Sequence, residues 1–266
     1  MARHIPGPLF FDQHGTQGLP MLFLHSTPVD HRLWMYQTAR FSSYFRTVAL
    51  DMAGYGKSAP AQKGLTVGDQ ADAAWEVADQ FTNGPIILHG NSMGSMIAMQ
   101  MASKHPERVL ALIISGTGYL PQRDAMKVWA KRYAEEGLDL RYKQCLDQFS
   151  PAAQKLPHVQ YYAKMICEMN TPATVGSIIA MNEALSAEAE PDSFFDTLTM
   201  PTVIISGTAD RNHAAAVELQ KHIKTSTLKE VEGAGHAVMQ EAPWAYDQYT
   251  IELLSKLGLW PGEQPR

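Results

Sequence analysis

The chain has 266 residues, 45% of them hydrophobic and 18% charged, with a formal charge of −5 and a pI near 6.0. That balance excludes a disordered or low-complexity chain and suits one globular domain with an insertion. Mild acidity without a dense Lys/Arg run argues against nucleic acid as a partner, and two cysteines, Cys145 and Cys167, are too few for a secreted disulfide scaffold.

Residues 1–11 lack a basic segment followed by a long apolar run, and no stretch approaches the roughly 18 apolar residues of a membrane span. A cytoplasmic protein with free thiols is expected, with no membrane partner. Oligomeric state is not legible.

Four short apolar runs punctuate the first half: residues 21–25 (MLFLH), 47–51 (TVALD), 85–89 (PIILH) and 109–115 (VLALIIS). Their length and β-branched content predict strands buried on both faces. Between them lie helix patterns. Thr66 with Asp69 forms a capping-box signal, and Val67, Ala71, Ala74, Ala78 and Phe81 recur behind it on one face. Residues 92–104 open a helix directly after a strand. This alternation predicts an α/β fold with parallel strands and right-handed crossovers.

The rhythm then breaks. Residues 119–196 carry no strand signal. Met126, Trp129 and Tyr133 share one helical face, Ser150-Pro151 and Thr171-Pro172 read as helix starts, and Val175, Ile178, Ile179 and Leu185 follow at helical spacing. Lys127, Lys131 and Arg132 lie beside Glu135 and Glu136 as a solvated face. The α/β pattern resumes at 201–206 (PTVIIS) and 227–231 (TLKEV), and a last helix runs from Pro243 to Gly258. Residues 1–118 and 197–266 are therefore expected to form a core, and 119–196 an inserted all-helical cap.

Gly90-Asn91-Ser92-Met93-Gly94 is a G-x-S-x-G pentapeptide between a strand and a helix. A nucleophile there needs a tight, strained turn that small flanking residues permit. A serine hydroxyl also needs a base, and the base an orienting acid. Asp210 follows the strand PTVIIS and His236 follows TLKEV, so both fall at carboxyl ends of strands, where Ser92 would project.

Together these residues resemble the α/β-hydrolase superfamily, in its group with a helical cap. The similarity runs through residues 23–34, 49–58, 88–114, 201–210 and 233–243. It implies an α/β-hydrolase fold, a mostly parallel sheet of about eight strands with helices on both faces. It also implies a triad of Ser92, Asp210 and His236. The oxyanion hole would use the N–H groups of Met93 and Thr27. The family usually has His-Gly-X-Pro where this chain has His25-Ser26-Thr27-Pro28, so the Ser26 hydroxyl is a second candidate donor.

Each residue has a plainer reading. Ser92 suits a helix N-cap, and Asp210 could cap the next helix. His213 and His222 rival His236 but fall in a helical stretch. The alternative position for the acid reads Ser115-Gly116-Thr117-Gly118, without a carboxylate. His25, His89, Asp51 and Trp34 read as structural. Met126, Trp129, Met165 and Met181 are either helix core or an adaptable apolar substrate lining.

The expected function is a cofactor-independent serine hydrolase, using no metal, that cleaves a carboxylic ester, lactone or thioester of a small, partly apolar molecule. Hydrolysis of a carbon–carbon bond in vinylogous diketones, or of an amide, fits the same triad. A ligand receptor with little turnover is the non-enzymatic alternative. Dehalogenase and epoxide hydrolase relatives use Asp where this chain has Ser92.

Overall fold

The computed structural model describes residues 8–117, 124–169, 174–186 and 190–262. Chain order gives β1 (Phe11–His14), β2 (Pro20–Leu24), α1 (Met35–Phe41), β3 (Arg46–Leu50), α2 (Val67–Ala78), β4 (Ile86–Asn91), α3 (Met93–Lys104) and β5 (Val109–Ser115). Five helices follow: α4 (Asp124–Glu136), α5 (Leu140–Leu146), α6 (Pro157–Met169), α7 (Val175–Leu185) and α8 (Asp192–Phe195). The chain then returns through β6 (Thr202–Gly207), α9 (His213–His222), β7 (Ser226–Val231), α10 (Val238–Glu241) and α11 (Pro243–Lys256).

One sheet has the order β1–β3–β2–β4–β5–β6–β7. Every pair is parallel except β1 with β3, which registers Phe11 opposite Leu50. Among the described residues there are seven strands, where the resemblance implied about eight. The strand with no sequence signal is β1: its FDQH is half-exposed and polar, and it lies on the sheet edge.

Alternation along the inner strands divides the core into two layers. Leu22, Leu24, Val48, Leu50 and Leu88 face one layer with α2 and α3. Met21, Phe23, Ala49, Ile87, Ile113 and Ile205 face the other, with α11 residues Tyr246, Ile251 and Leu254. Burial on both faces is why these strands read as continuous apolar runs. The Thr66 side chain accepts from Asp69 N–H at 3.0 Å while the Asp69 carboxylate accepts from Thr66 N–H at 2.9 Å. This reciprocal box opens α2, and such a cap contributes about 1 kcal/mol.

Strand order reverses between β2 and β4: β3 lies on one side of β2 and β4 on the other. In open α/β sheets the crevice at such a switch point, beyond the carboxyl ends of the strands, is where ligands bind. Here it is bounded by the β2 loop, which holds His25 to Pro28, and by the β4–α3 turn, which holds Ser92.

The described part of the insertion between β5 and β6 is helical. Its α4 and α7 join the first core layer through Tyr133, Ile178 and Met181, and α5 and α6 join the second through Cys145, Ala163 and Ile166. The signal at Thr171-Pro172 lies outside the described residues. Cys145 and Cys167 are free thiols with sulfurs 3.8 Å apart. Among the described residues no helix is long and apolar enough to cross a membrane.

Candidate active site

Ser92 occupies the β4–α3 junction with φ 53° and ψ −113°, the one described non-glycine residue at positive φ. Packing holds it there. The Ser92 N–H donates to Ser115 O at 2.8 Å, and the Ser95 hydroxyl donates to the same carbonyl at 2.8 Å. The two glycines of the motif are needed for closeness. A Cβ on Gly90 would sit 2.6 Å from Ser95 Cα, and one on Gly94 would collide with Leu24 O and lie 2.8 Å from His25 O. The start of α3 therefore presses directly on the end of β2.

His236 and Asp210 meet beyond the carboxyl ends of β7 and β6. The His236 Nδ1–H donates to Asp210 Oδ1 at 2.9 Å, with Oδ2 at 3.1 Å, and both side chains are almost fully buried. A carboxylate only accepts, so this contact puts the proton on Nδ1 and leaves Nε2 as the accepting nitrogen. Burial works against a charged Asp210. The His236 ring, the Asn212 N–H at 3.0 Å and Arg211 outweigh it and hold the carboxyl below its ordinary range.

The ring is seated beside the Ser92 turn. Gly116, at φ 61°, would place a Cβ 3.1 Å from His236 Cε1 and 2.6 Å from Asn91 Nδ2. The same Asn91 amide donates to His236 O at 3.2 Å and to Ser115 Oγ at 3.1 Å. Asn91, beside the nucleophile candidate, thus fastens the histidine loop to the strand that receives the Ser92 N–H. Only the tertiary structure shows this tie.

Ser92 lines a cavity of ≈180 Å³ with Met93, Gly116, Thr117, Met126 and Trp129 among its walls. Of the four proposed lining residues, Met126 and Trp129 are therefore here. Met181 is fully buried, and its sulfur accepts from Gln70 Nε2 at 3.1 Å. It is core, placed there because α7 turns that face toward α2. Met165 on α6 is half-buried and lines none of the described cavities.

Among the described residues, the N–H groups of Met93 and Thr27 have no acceptor. Met93 is the first residue of α3, where unpaired N–H groups favour negative charge. Thr27 is anchored on both sides: Tyr55 OH donates to its Oγ1 at 2.8 Å, and Gln148 Nε2 donates to its carbonyl at 3.0 Å. The Thr27–Pro28 peptide bond is cis. The Ser26 hydroxyl donates to Gln148 Oε1 at 3.0 Å, so its proton holds the loop rather than facing the cavity. Gln148 lies more than 120 residues from this loop, and no local signal marks it.

His25, His89 and His213 are held in structural contacts. His25 donates from Nδ1 to Ser26 O at 2.8 Å and accepts the Met52 N–H at Nε2, with burial lowering its pKa. Burial takes His89 down to about 3, and its ring stacks on Phe23. His213 bridges Ser206 and Glu230 on α9. Asp30, His31 and Asp51 bring three potential metal-ligand atoms within 4.8 Å of one another. Arg32 pairs with Asp30, and the Asp51 carboxylate accepts from His31 Nδ1, His31 N–H and Lys57 N–H. These contacts make the cluster an ion-paired anchor for the 51–58 loop.

Comparison with known proteins identifies the family and the fold. A family model described as "Alpha/beta hydrolase family" matches residues 21–246. The chain belongs to the alpha/beta hydrolase family. This membership supports an enzyme with hydrolase chemistry. Among curated alpha/beta hydrolase relatives, the (E)-2-((N-methylformamido)methylene)succinate hydrolase of Acinetobacter baylyi is 24% identical over 246 residues, 90% of each chain. A thermophilic esterase from Thermogutta terrifontis superposes with TM-score 0.81 at 24% identity, covering 94% of this chain and 93% of that one. The enol-lactonase of Burkholderia xenovorans superposes with TM-score 0.82 at 20% identity, covering 93% and 96%. At these identities the two structures establish the fold.

Proposed function

We propose that this alpha/beta hydrolase is a serine hydrolase that cleaves a carboxylic ester, lactone or thioester of a small, partly apolar molecule through an acyl-enzyme. The observation that carries the reading is the Ser92 backbone at φ 53°, held beside a His236–Asp210 pair whose tautomer leaves Nε2 accepting. A helix N-cap needs no positive φ, and Ser92 makes no capping hydrogen bond.

In this scheme Ser92 Oγ attacks the acyl carbon while His236 Nε2 takes its proton. The carbonyl oxygen becomes an oxyanion and accepts from the N–H groups of Met93 and Thr27; such a donor lowers the barrier by about 3 kcal/mol. The imidazolium, steadied by Asp210, then protonates the leaving oxygen or sulfur as its bond to the acyl carbon breaks. Water repeats the sequence on the acyl-enzyme, and the acid leaves. The scheme uses the side chains of Ser92, His236 and Asp210, the backbone N–H groups of Met93 and Thr27, and water. Residues 119–196 serve as the cap that excludes bulk water, with Met126 and Trp129 against the acyl group. The relatives named as an esterase and an enol-lactonase support this class of bond, whereas the compound named for the curated hydrolase carries an amide group, the bond type of the alternative reading.

Steady-state turnover of 4-nitrophenyl esters, lactones and vinylogous diketones by wild type and Ser92→Ala tests the reading. Ester or lactone turnover should fall at least about 10³-fold in the variant. Full hydrolysis by Ser92→Ala would refute the nucleophile, and saturable binding without turnover in the wild type would favour a receptor.

A further inference from the structure

Arg141 is a buried cation whose guanidinium has no anionic partner among the described residues. The residue is 5% exposed, and its Nε and Nη2 have no acceptor there. A guanidinium stays protonated under any condition a protein tolerates. A buried charge is ordinarily paired, because leaving it unpaired costs several times what an exposed one does.

Its position says what it faces. Arg141, Gln144, Cys145 and Gln148 recur at intervals of three and four, and all are buried, so they form one face of α5 and the turn after it. Gln148 on that face clamps the Ser26–Thr27 loop. Tyr55, which donates to Thr27 Oγ1, lies within reach of the Arg141 charge: burial pushes its phenol pKa up, and Arg141 draws it back. Tyr133, whose OH donates to Gln144, feels the same charge, as do Cys145 and Cys167. None of these neighbours is a carboxylate, and the Asp30 carboxylate is bound by Arg32. Arg141 thus shares the buried face of α5 and its following turn with Gln148, which holds the Ser26–Thr27 loop.

We propose that Arg141 binds a carboxylate carried by the substrate, so that the enzyme prefers acyl compounds with a second, ionised acid group, such as half-esters of small dicarboxylic acids. The proposal rests on the reading of Ser92 as nucleophile only for which end of the ligand reacts. A planar guanidinium takes a carboxylate in two parallel hydrogen bonds, which orients the far end of the molecule.

The test sets monoethyl succinate, glutarate and adipate against ethyl butyrate, valerate and hexanoate, chains matched except for the charge. Wild type should favour the best half-ester in kcat/KM over its neutral match. In Arg141→Met the ratio of half-ester to neutral ester should fall about 30-fold or more, chiefly through KM, and Arg141→Lys should recover part of it. Replacing an unpaired buried charge by a side chain of similar length should leave the melting temperature equal or higher, which a purely structural arginine would not. Wild-type preference for every neutral ester, or an unchanged ratio in Arg141→Met, would overturn the proposal.

Calorimetry on Ser92→Ala separates the two readings. Half-ester binding that disappears in Ser92→Ala/Arg141→Met supports the site even if turnover proves independent of Ser92. Binding undiminished by Arg141→Met overturns the site and leaves the nucleophile standing. Inorganic phosphate that competes as well as the half-ester would make the ligand a free anion and overturn the substrate assignment.

Discussion

Ser92→Gly should make the protein more stable while abolishing its turnover. Ser92 is held at φ 53° and ψ −113°, outside the small left-handed basin that L-residues tolerate. Such a conformation costs about 1–3 kcal/mol. Glycine adopts it freely but loses about 0.5–1 kcal/mol more backbone entropy on folding. The serine hydroxyl makes no capping hydrogen bond whose loss would count against the exchange. The net gain is about 1 kcal/mol, a rise of about 2 °C in melting temperature for a chain of this length. Ser92→Ala keeps the Cβ, and with it the strain, so it should show no such gain. Differential scanning calorimetry on the three proteins reads the difference. If Ser92→Ala gained as much as Ser92→Gly, or if Ser92→Gly melted lower than wild type, the strain would not reside in this backbone.

Asp210→Asn should place a donor opposite His236 Nδ1, invert the tautomer and cut kcat about 10⁴-fold with little change in the melting curve's shape; a loss below about tenfold would show that another group orients the ring. Gly94→Ala should drive a methyl into the carbonyls of Leu24 and His25. Backbone cannot yield as a side chain does, so we expect destabilisation of about 2–4 kcal/mol in urea unfolding and a lower kcat as Met93 N–H is displaced. Asp247 supplies a pH prediction of the opposite sign to most carboxylates. Burial raises its pKa from 3.8 to about 6, against Gln37 and Arg40. Stability from this group is full below pH 3.8 and falls as pH rises toward about 6, where it levels off. Asp247→Asn should therefore stabilise the protein above pH 6 by up to about 3 kcal/mol and change nothing near pH 3.5, measured by denaturant midpoints across pH.

What the chain discloses about itself follows burial. Residues 109–115 lie in the middle of the sheet with both faces covered, so the run VLALIIS reads as a strand without any partner in view. The edge strand FDQH owes its conformation to pairing with β3, and nothing in its composition announces it. The candidate residues Ser92, Asp210 and His236 can be singled out in the sequence because each follows a strand and the turn chemistry around Ser92 is local. The supports of the site cannot be. Gln148 reaches Ser26 and Thr27 across more than 120 residues, and Asn91 grips the carbonyl of His236. Arg141 lies in LRYKQCL among other charges, and only its burial distinguishes it. Met181 shows the converse. A methionine at helical spacing reads the same whether its face turns to the core or to a ligand, and here it turns to Gln70.

The most direct measurement is peptide mass spectrometry of protein quenched during turnover of a slowly deacylating ester, in wild type and Ser92→Ala. The account predicts a mass increase equal to the acyl group on the peptide containing Ser92, and none in the variant. An adduct on any other residue, or turnover by the variant at the wild-type rate, would contradict it.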